Sequence, residues 1–353
     1  MKKIIILLLG VSLMAASCDL VNLIIGSPTG LRGVFKSADN GETFRPAMSL
    51  PKGDLSGVSV NSLAFDTSSP DIIYLASPSG IYKTEDAAGH WRYILSGLAG
   101  ARVAVDPKDP KIIYAVGLVG QNGKIIKSFD GGASWVDIYT EPSKNNPVLA
   151  LDISKSNPAV LVAGLGNGEI IRSLDAGQTW QSSRDFADRV LSLEFAPNGD
   201  LFALTLAKGL FRSSDSGINW TAASGALATV SVDVIGQSAG TVSKFDYLAL
   251  DKRQPGVLYL GTDQGLFRSV NNGAFWSILP LPVKNTALRV TSVAVNPGNS
   301  NDVLVAVGNT VFKSTNGGVT WETKVLNTQA EIKQIIINPQ STNIMYLGIG
   351  NPR

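Results

Sequence analysis

Five cations are the first candidates for chemistry. Arg189, Lys244 and Arg289 each stand seven residues ahead of the end of an apolar run, at Ala196, Asp251 and Asn296, and Arg102 and Lys333 fall within three residues of that level in two further runs. If these runs are equivalent strands around one axis, the five side chains meet near one channel mouth. There they would favour an anionic ligand or the acidic tail of a partner protein. Asp185, Asp188, Asp246 and Glu331 stand close enough to neutralise them, in ion pairs of the kind that contribute little at a surface.

Other chemistry finds thin support. His90 is the only histidine, and it sits in a turn-like stretch where a structural role suits it better than proton transfer. Metal-ligand spacing of Cys and His is absent, and no glycine-rich phosphate loop leads into a helix, so neither a metal nor a cofactor is expected. Glycoside hydrolysis needs two carboxyl groups about 5 to 10 Å apart across a cleft. Asp54, Glu141, Asp185, Asp188 and Asp233 are available for it, with no spacing that singles out a pair.

The elements that must position these residues come from a repeat. An octapeptide occurs seven times, starting at residues 37, 84, 128, 173, 213, 269 and 314, and the third copy reads Ser128-Phe-Asp-Gly-Gly-Ala-Ser-Trp135. Its third position is Asp39, Asp86, Asp130, Asp175, Asp215, Asn271 or Asn316, residues whose side chains turn back onto backbone N–H groups two residues on. The fifth is glycine in every copy except the second, which has Ala88, and positive φ is expected there. The last is Phe44, Trp91, Trp135, Trp180, Trp220, Trp276 or Trp321, so all six tryptophans serve the repeat and none is left to stack on a sugar, for which Tyr93, Tyr139 and Phe186 are weaker substitutes.

Each octapeptide follows a short strand ending apolar then basic, from Phe35-Lys36 to Phe312-Lys313. Seven cations in one register read as stems lying on apolar surface with their heads in water. Between octapeptides stand two Val- and Ile-rich runs joined by a Pro-, Asn- or Asp-rich turn, as in Val103-Ala-Val-Asp106 and Ile112-Ile-Tyr-Ala115. These patterns make four strands per repeat, and spacings of 40 to 56 residues signal a propeller or solenoid.

The octapeptide resembles the Asp-box, or BNR, repeat of sialidases, sortilin-type receptors, xyloglucanases and photosystem II assembly factors. The resemblance covers residues 33 to about 350. It implies an all-β, seven-bladed propeller of four-stranded antiparallel blades, with the box between third and fourth strands. The motif is shared by enzymes and non-enzymes, so it carries fold further than function. A sialidase would also bring an arginine triad and a Tyr with an acid partner, and xyloglucanases typically carry two such propellers where this chain has one.

Strand counting predicts how the ring closes. The chain opens with a third and fourth strand, Gly33 to Ser37 and Thr43 to Met48, and ends with a first and second, Ile332 to Asn338 and Ile344 to Ile349. The seventh blade is complete only if two strands from each terminus join in it, which leaves few free edges. Leu20 to Ile25 competes for the second-strand place. Boxes and Pro-rich turns then share one rim, and connections 45–60, 92–100, 136–147, 181–189, 221–245, 277–290 and 322–331 share the other, where binding loops are expected. Within 221–245 the alternation Thr229-Val-Ser-Val-Asp-Val234 is compatible with an added strand.

At the N-terminus Lys2-Lys3 precedes an apolar run from Ile4 to Ala16, short of the roughly 20 residues that span a membrane. It reads as a secretory signal. Ala15-Ala16-Ser17-Cys18 resembles the lipobox of bacterial lipoproteins, which implies acylation of Cys18, the only cysteine, and export to the outer side of a bacterial membrane. The expected organisation is a signal over 1–17, a tether over 18–32 and the propeller over 33–353. Cleavage before Cys18 leaves 28 basic against 28 acidic residues, a balance that points away from nucleic acid. The expected protein is a non-catalytic binding or assembly scaffold, with an extracellular glycoside hydrolase as the alternative.

Overall fold

A Val- and Ile-rich strand that is apolar on both faces must be covered on both faces, and stacking blades around an axis does this without a large single core. The computed structural model describes residues 30–225, 227, 242–283 and 288–352. Their 28 strands, numbered in chain order, form seven four-stranded antiparallel sheets. Blades 2 to 7 are consecutive. Their first strands are β3 (Ser62–Phe65), β7 (Ala99–Val105), β11 (Val148–Ile153), β15 (Val190–Phe195), β19 (Phe245–Leu250) and β23 (Val290–Asn296).

Blade 1 closes the ring in the predicted way, with strand order β2 (Arg45–Pro46), β1 (Gly33–Ser37), β28 (Met345–Gly350), β27 (Glu331–Ile337). The seam runs in unbroken register from Gly33 opposite Ile349 to Ser37 opposite Met345. The second-strand place therefore belongs to β28, and Leu20 to Ile25 lies outside the described residues, as do Cys18 and Thr229 to Val234. Leu31 and Arg32, expected in the tether, are bonded to the ring: Leu31 O accepts from Thr328 Oγ1 at 2.6 Å, and Arg32 N donates to Ser56 O at 2.9 Å. Of the connections read as irregular, 136–147 is mostly the nine-residue strand β10 (Val136–Lys144) and 92–100 mostly β6 (Trp91–Ser96).

The seven first strands pack on one another around the axis, each against two neighbours, and the apolar clusters sit between blades. At the axis the inner strands share no ladder, so side chains stitch them. Gln334 Oε1 accepts from Leu63 N at 2.5 Å, Asn61 Nδ2 donates to Gly100 O at 2.8 Å, Asp152 Oδ2 accepts from Phe195 N at 2.7 Å and Ser292 Oγ from Ile335 N at 2.9 Å.

The boxes are tighter than the sequence foretold. In the third copy the Ser128 hydroxyl donates to Asp130 Oδ1 at 2.8 Å and accepts from Gly132 N at 2.8 Å, while Asp130 takes the N–H groups of Ala133 and Ser134, three and four residues on rather than two. Two successive residues are left-handed in every copy, Gly131 and Gly132 here with φ of 73° and 93°. Ala88 adopts this conformation with φ of 68° and strains the second copy, where His90 bonds Asp86 through both its backbone N–H and its ring.

One expectation is overturned. The third-strand lysines do not hold their heads in water: Lys36, Lys83, Lys127 and Lys313 donate to the backbone oxygens of Ala87, Gly131, Ala176 and Asn40, at 2.9, 3.4, 3.0 and 2.7 Å. Each acceptor is the fourth residue of the next blade's box, whose left-handed turn presents its carbonyl across the seam. Three of these lysines lie over buried second-strand tyrosines, Tyr346, Tyr74 and Tyr114, at 5.6, 5.4 and 5.0 Å from the ring centre. In the other direction the indole N–H groups of Trp91, Trp135 and Trp276 reach the carbonyls of Ala47, Ile94 and Ala223 in the preceding blade. Boxes 1 to 4 and 6 are thereby rivets between two blades.

Candidate functional site

Six of the seven first strands carry a register break near their start, at Gly100/Arg102, Val148/Ala150, Val190/Ser192, Phe245/Tyr247, Val290/Ser292 and Ile332/Gln334. A bulge sets two residues against one and turns consecutive side chains to the same side. Arg102, Tyr247 and Gln334 therefore face the axis together with Ala101, Asp246 and Lys333, and all six line one cavity of about 760 Å³ at the loop rim.

All five cations picked out from the sequence line this cavity: Arg102, Arg189, Lys244, Arg289 and Lys333. Their surroundings divide them. Arg289 donates from Nε and Nη2 to Asp246 Oδ1 at 3.0 and 2.7 Å and from Nη1 to Glu331 Oε1 at 3.4 Å, and Glu331 also binds Lys333. This mostly buried chain ties blades 6, 7 and 1 together, so two of the five are already engaged. Arg189 and Lys244 are exposed and form no ion pair with a described residue. Of the acids expected to neutralise the cluster, Asp246 and Glu331 do so. Asp185 instead holds Ala187 N at 2.6 Å, and Asp188 holds the N–H groups of Ala207 and Lys208 at 2.7 Å each.

Deeper in the channel the next inward position is Ala64, Ala104, Asp152, Glu194, Ala249, Ala294 and Ile336 around the ring. Two neighbouring carboxyls thus stand in a layer otherwise made of four alanines and Ile336. Both are partly exposed to the channel yet ringed by protein. Burial pushes the Glu194 carboxyl up to about 7, with the Arg102 guanidinium opposing that rise and Asp152 adding to it. Asp152 is also raised by burial, against Arg102 and the Phe195 N–H. Arg102 therefore belongs electrostatically to this acidic layer as well as to the cavity. Sequence reasoning missed Glu194, Asp152 and Tyr247. The signal was present, since Leu193-Glu194-Phe195 puts an acid where sister strands carry alanine.

The acids considered for hydrolysis do not gather. Asp54 fixes a turn by accepting from Ser56 N at 2.8 Å. Glu141 is buried, and bonds from Tyr139 OH at 2.6 Å and Ser143 N at 3.1 Å outweigh burial to keep its carboxyl below the usual range. Asp233 lies outside the described residues. The carboxyls that do line the cavity are Glu194, Asp246 and Asp263. Among the described residues no three His, Cys, Asp or Glu side chains are grouped as metal ligands.

No family model matches the chain. Among curated proteins it is similar to the xyloglucanase Xgh74A of Acetivibrio thermocellus, at 24% identity over 331 residues, covering 74% of this chain and 37% of that protein. It is also similar to the photosystem II assembly lipoprotein Ycf48 of Prochlorococcus marinus, at 27% identity over 184 residues and half of each chain. The chain thus spans between about a quarter and little more than a third of the xyloglucanases it matches. Among solved structures the GH74 enzyme of Niastella koreensis superposes with a TM-score of 0.66 at 17% identity, over 83% of this chain and 51% of the enzyme. YCF48 bound to a D1 peptide superposes with a TM-score of 0.62 at 16% identity, over 86% of this chain and 95% of that one. Repeat, fold and these matches together make the chain a distant relative of the GH74 xyloglucanase and Ycf48-like β-propellers.

Proposed function

We propose that this protein is a non-catalytic binding or assembly scaffold of the cell envelope that captures an acidic segment of a partner protein in its loop-rim cavity. The observation that carries the reading is the meeting of five cations from blades 1, 3, 5, 6 and 7 in one cavity, with Arg189 and Lys244 left without an acid among the described residues. Arg189 and Lys244 make the first contact, and Arg102 answers a group that reaches the channel. Arg289 and Lys333, locked to Asp246 and Glu331, shape the wall. That a Ycf48 structure has a peptide bound supports a protein partner, and that the curated Ycf48 is a lipoprotein supports Cys18 as an acylated anchor.

Pull-down from solubilised membranes tests the reading. Arg189→Glu with Lys244→Glu should lower partner recovery at least tenfold with the melting temperature unchanged, and undiminished recovery overturns it. Cys18→Ser should release the protein from membranes, and unchanged fractionation overturns the anchor. The second reading, hydrolysis of an extracellular glycan, is favoured by the xyloglucanase matches and by Glu194, Asp246 and Asp263 in the cavity. Turnover on a glycan panel that is lost in Glu194→Gln would replace the scaffold reading.

A further inference from the structure

Seven turns built to one plan bring equivalent residues to one rim, so the positions that vary among them report on what that rim meets. Beyond the aspartate shared by boxes 1 to 5, boxes 1 and 2 add acids at their tips, Glu42 and Glu85. Boxes 3 to 7 carry Phe129, Leu174, Ile218, Val270, Phe275 and Val319 instead, exposed by 57, 55, 52, 62, 79 and 77%. The three most exposed belong to boxes 6 and 7, the two in which Asn271 and Asn316 replace the aspartate and remove its charge. Exposed lysines stand on the same rim, in the turns between first and second strands: Lys108, Lys111, Lys155 and Lys252.

The arrangement selects the partner. These apolar side chains are spread over five blades, with only Val270 and Phe275 sharing a box, so a bound peptide would meet one or two at a time. Equivalent turns of a closed ring are coplanar, and a bilayer is a flat surface that meets several at once. Apolar side chains settle at the boundary of headgroup and acyl chain, lysines attract anionic headgroups, and the acidic boxes 1 and 2 lie off that arc. We propose that the box rim of blades 3 to 7 is a docking surface for an anionic lipid bilayer, entered by Val270, Phe275 and Val319. This does not rest on the scaffold reading. If both hold, the loop-rim cavity opens away from the membrane.

The test uses the full chain with Cys18→Ser, so that one introduced cysteine carries an environment-sensitive fluorophore. At Phe275→Cys, vesicles of phosphatidylglycerol and phosphatidylcholine should shift the emission to the blue, and nitroxide lipids should quench it at least twofold. The same label at Lys144→Cys, on the opposite rim, should not respond. Adding Val270→Asp and Val319→Asp should remove at least three quarters of the shift without changing the melting temperature. A silent label at 275, a response at 144 in its place, or a shift that survives the two aspartates overturns the proposal. So does an equal response to pure phosphatidylcholine, or a shift without vesicles that tracks dimerisation in light scattering.

Discussion

The box rim and the loop rim are made from the same seven repeats, yet one is rebuilt almost identically in every blade and the other differs at each. At the box rim the polar groups are spent on the fold: serine to aspartate, aspartate to backbone, lysine to the next box, indole to the previous blade. At the loop rim Arg189 and Lys244 have no described acid, and Arg102 is shared between a cavity and an acidic layer. The comparison teaches that a distinctive motif marks where a ring is fastened, and that irregular positions over a rigid frame are where it has charge to offer.

The two rims should differ most in what their loss does to stability. Removing residues 332–353 takes away β28 and nearly all of β27, so β1 and β2 lose their blade; the cooperative thermal transition should vanish, and a normal melt would refute closure by both termini. Lys127→Met should cost about 2 kcal/mol, because it strands the Ala176 carbonyl and removes a cation from the Tyr114 ring; denaturant titration checks it. By contrast, Arg189→Glu at the loop rim should change stability by no more than about 0.5 kcal/mol while weakening capture.

Acid separates the rims more gently. Hydrogen bonds from Ser134 and Ser128 hold the Asp130 carboxyl near 2, and Asp175 and Asp215 are held there by equivalent bonds. A carboxyl with a depressed folded pKa lends stability above its unfolded value of roughly 4, and that contribution fades as pH falls toward 2. Melting should drop across this window, and Asp130→Asn with Asp175→Asn should flatten the drop. Glu194 has the opposite sign. Its raised value makes its contribution full below roughly 4 and lost as pH rises through 7, so Glu194→Gln should raise stability at pH 8 by only about 1 kcal/mol, channel water softening the effect. A variant with the same pH profile as the parent would place Glu194 outside the acidic layer.

Much of this was legible before any coordinates. The octapeptide count together with the resemblance to the Asp-box repeat implied seven blades, and the unequal strand count at the two ends then implied a shared closing blade. Alignment of the first strands put the five cations at one level, and they do line one cavity. The lysine heads were misread because their acceptors lie in the next repeat, some 50 residues away, and no pattern within one repeat names a carbonyl across a seam. The acids Asp54, Glu141, Asp185 and Asp188 looked equally available for catalysis because sequence does not distinguish a carboxylate that fixes a turn from one that faces a cavity.

The amino-acid sequence by itself determined the repeat, its four strands and which residues share a level, since these follow from periodicity and short-range conformational preference, and its resemblance to the Asp-box repeat carried the closure. Tertiary structure alone decided which charges are engaged. Whether Arg289 meets Asp246, whether Glu194 is ringed by protein, and whether a lysine crosses to the next box depend on the bulges that turn side chains inward and on the approach of neighbouring blades, and both arise only when the ring is closed.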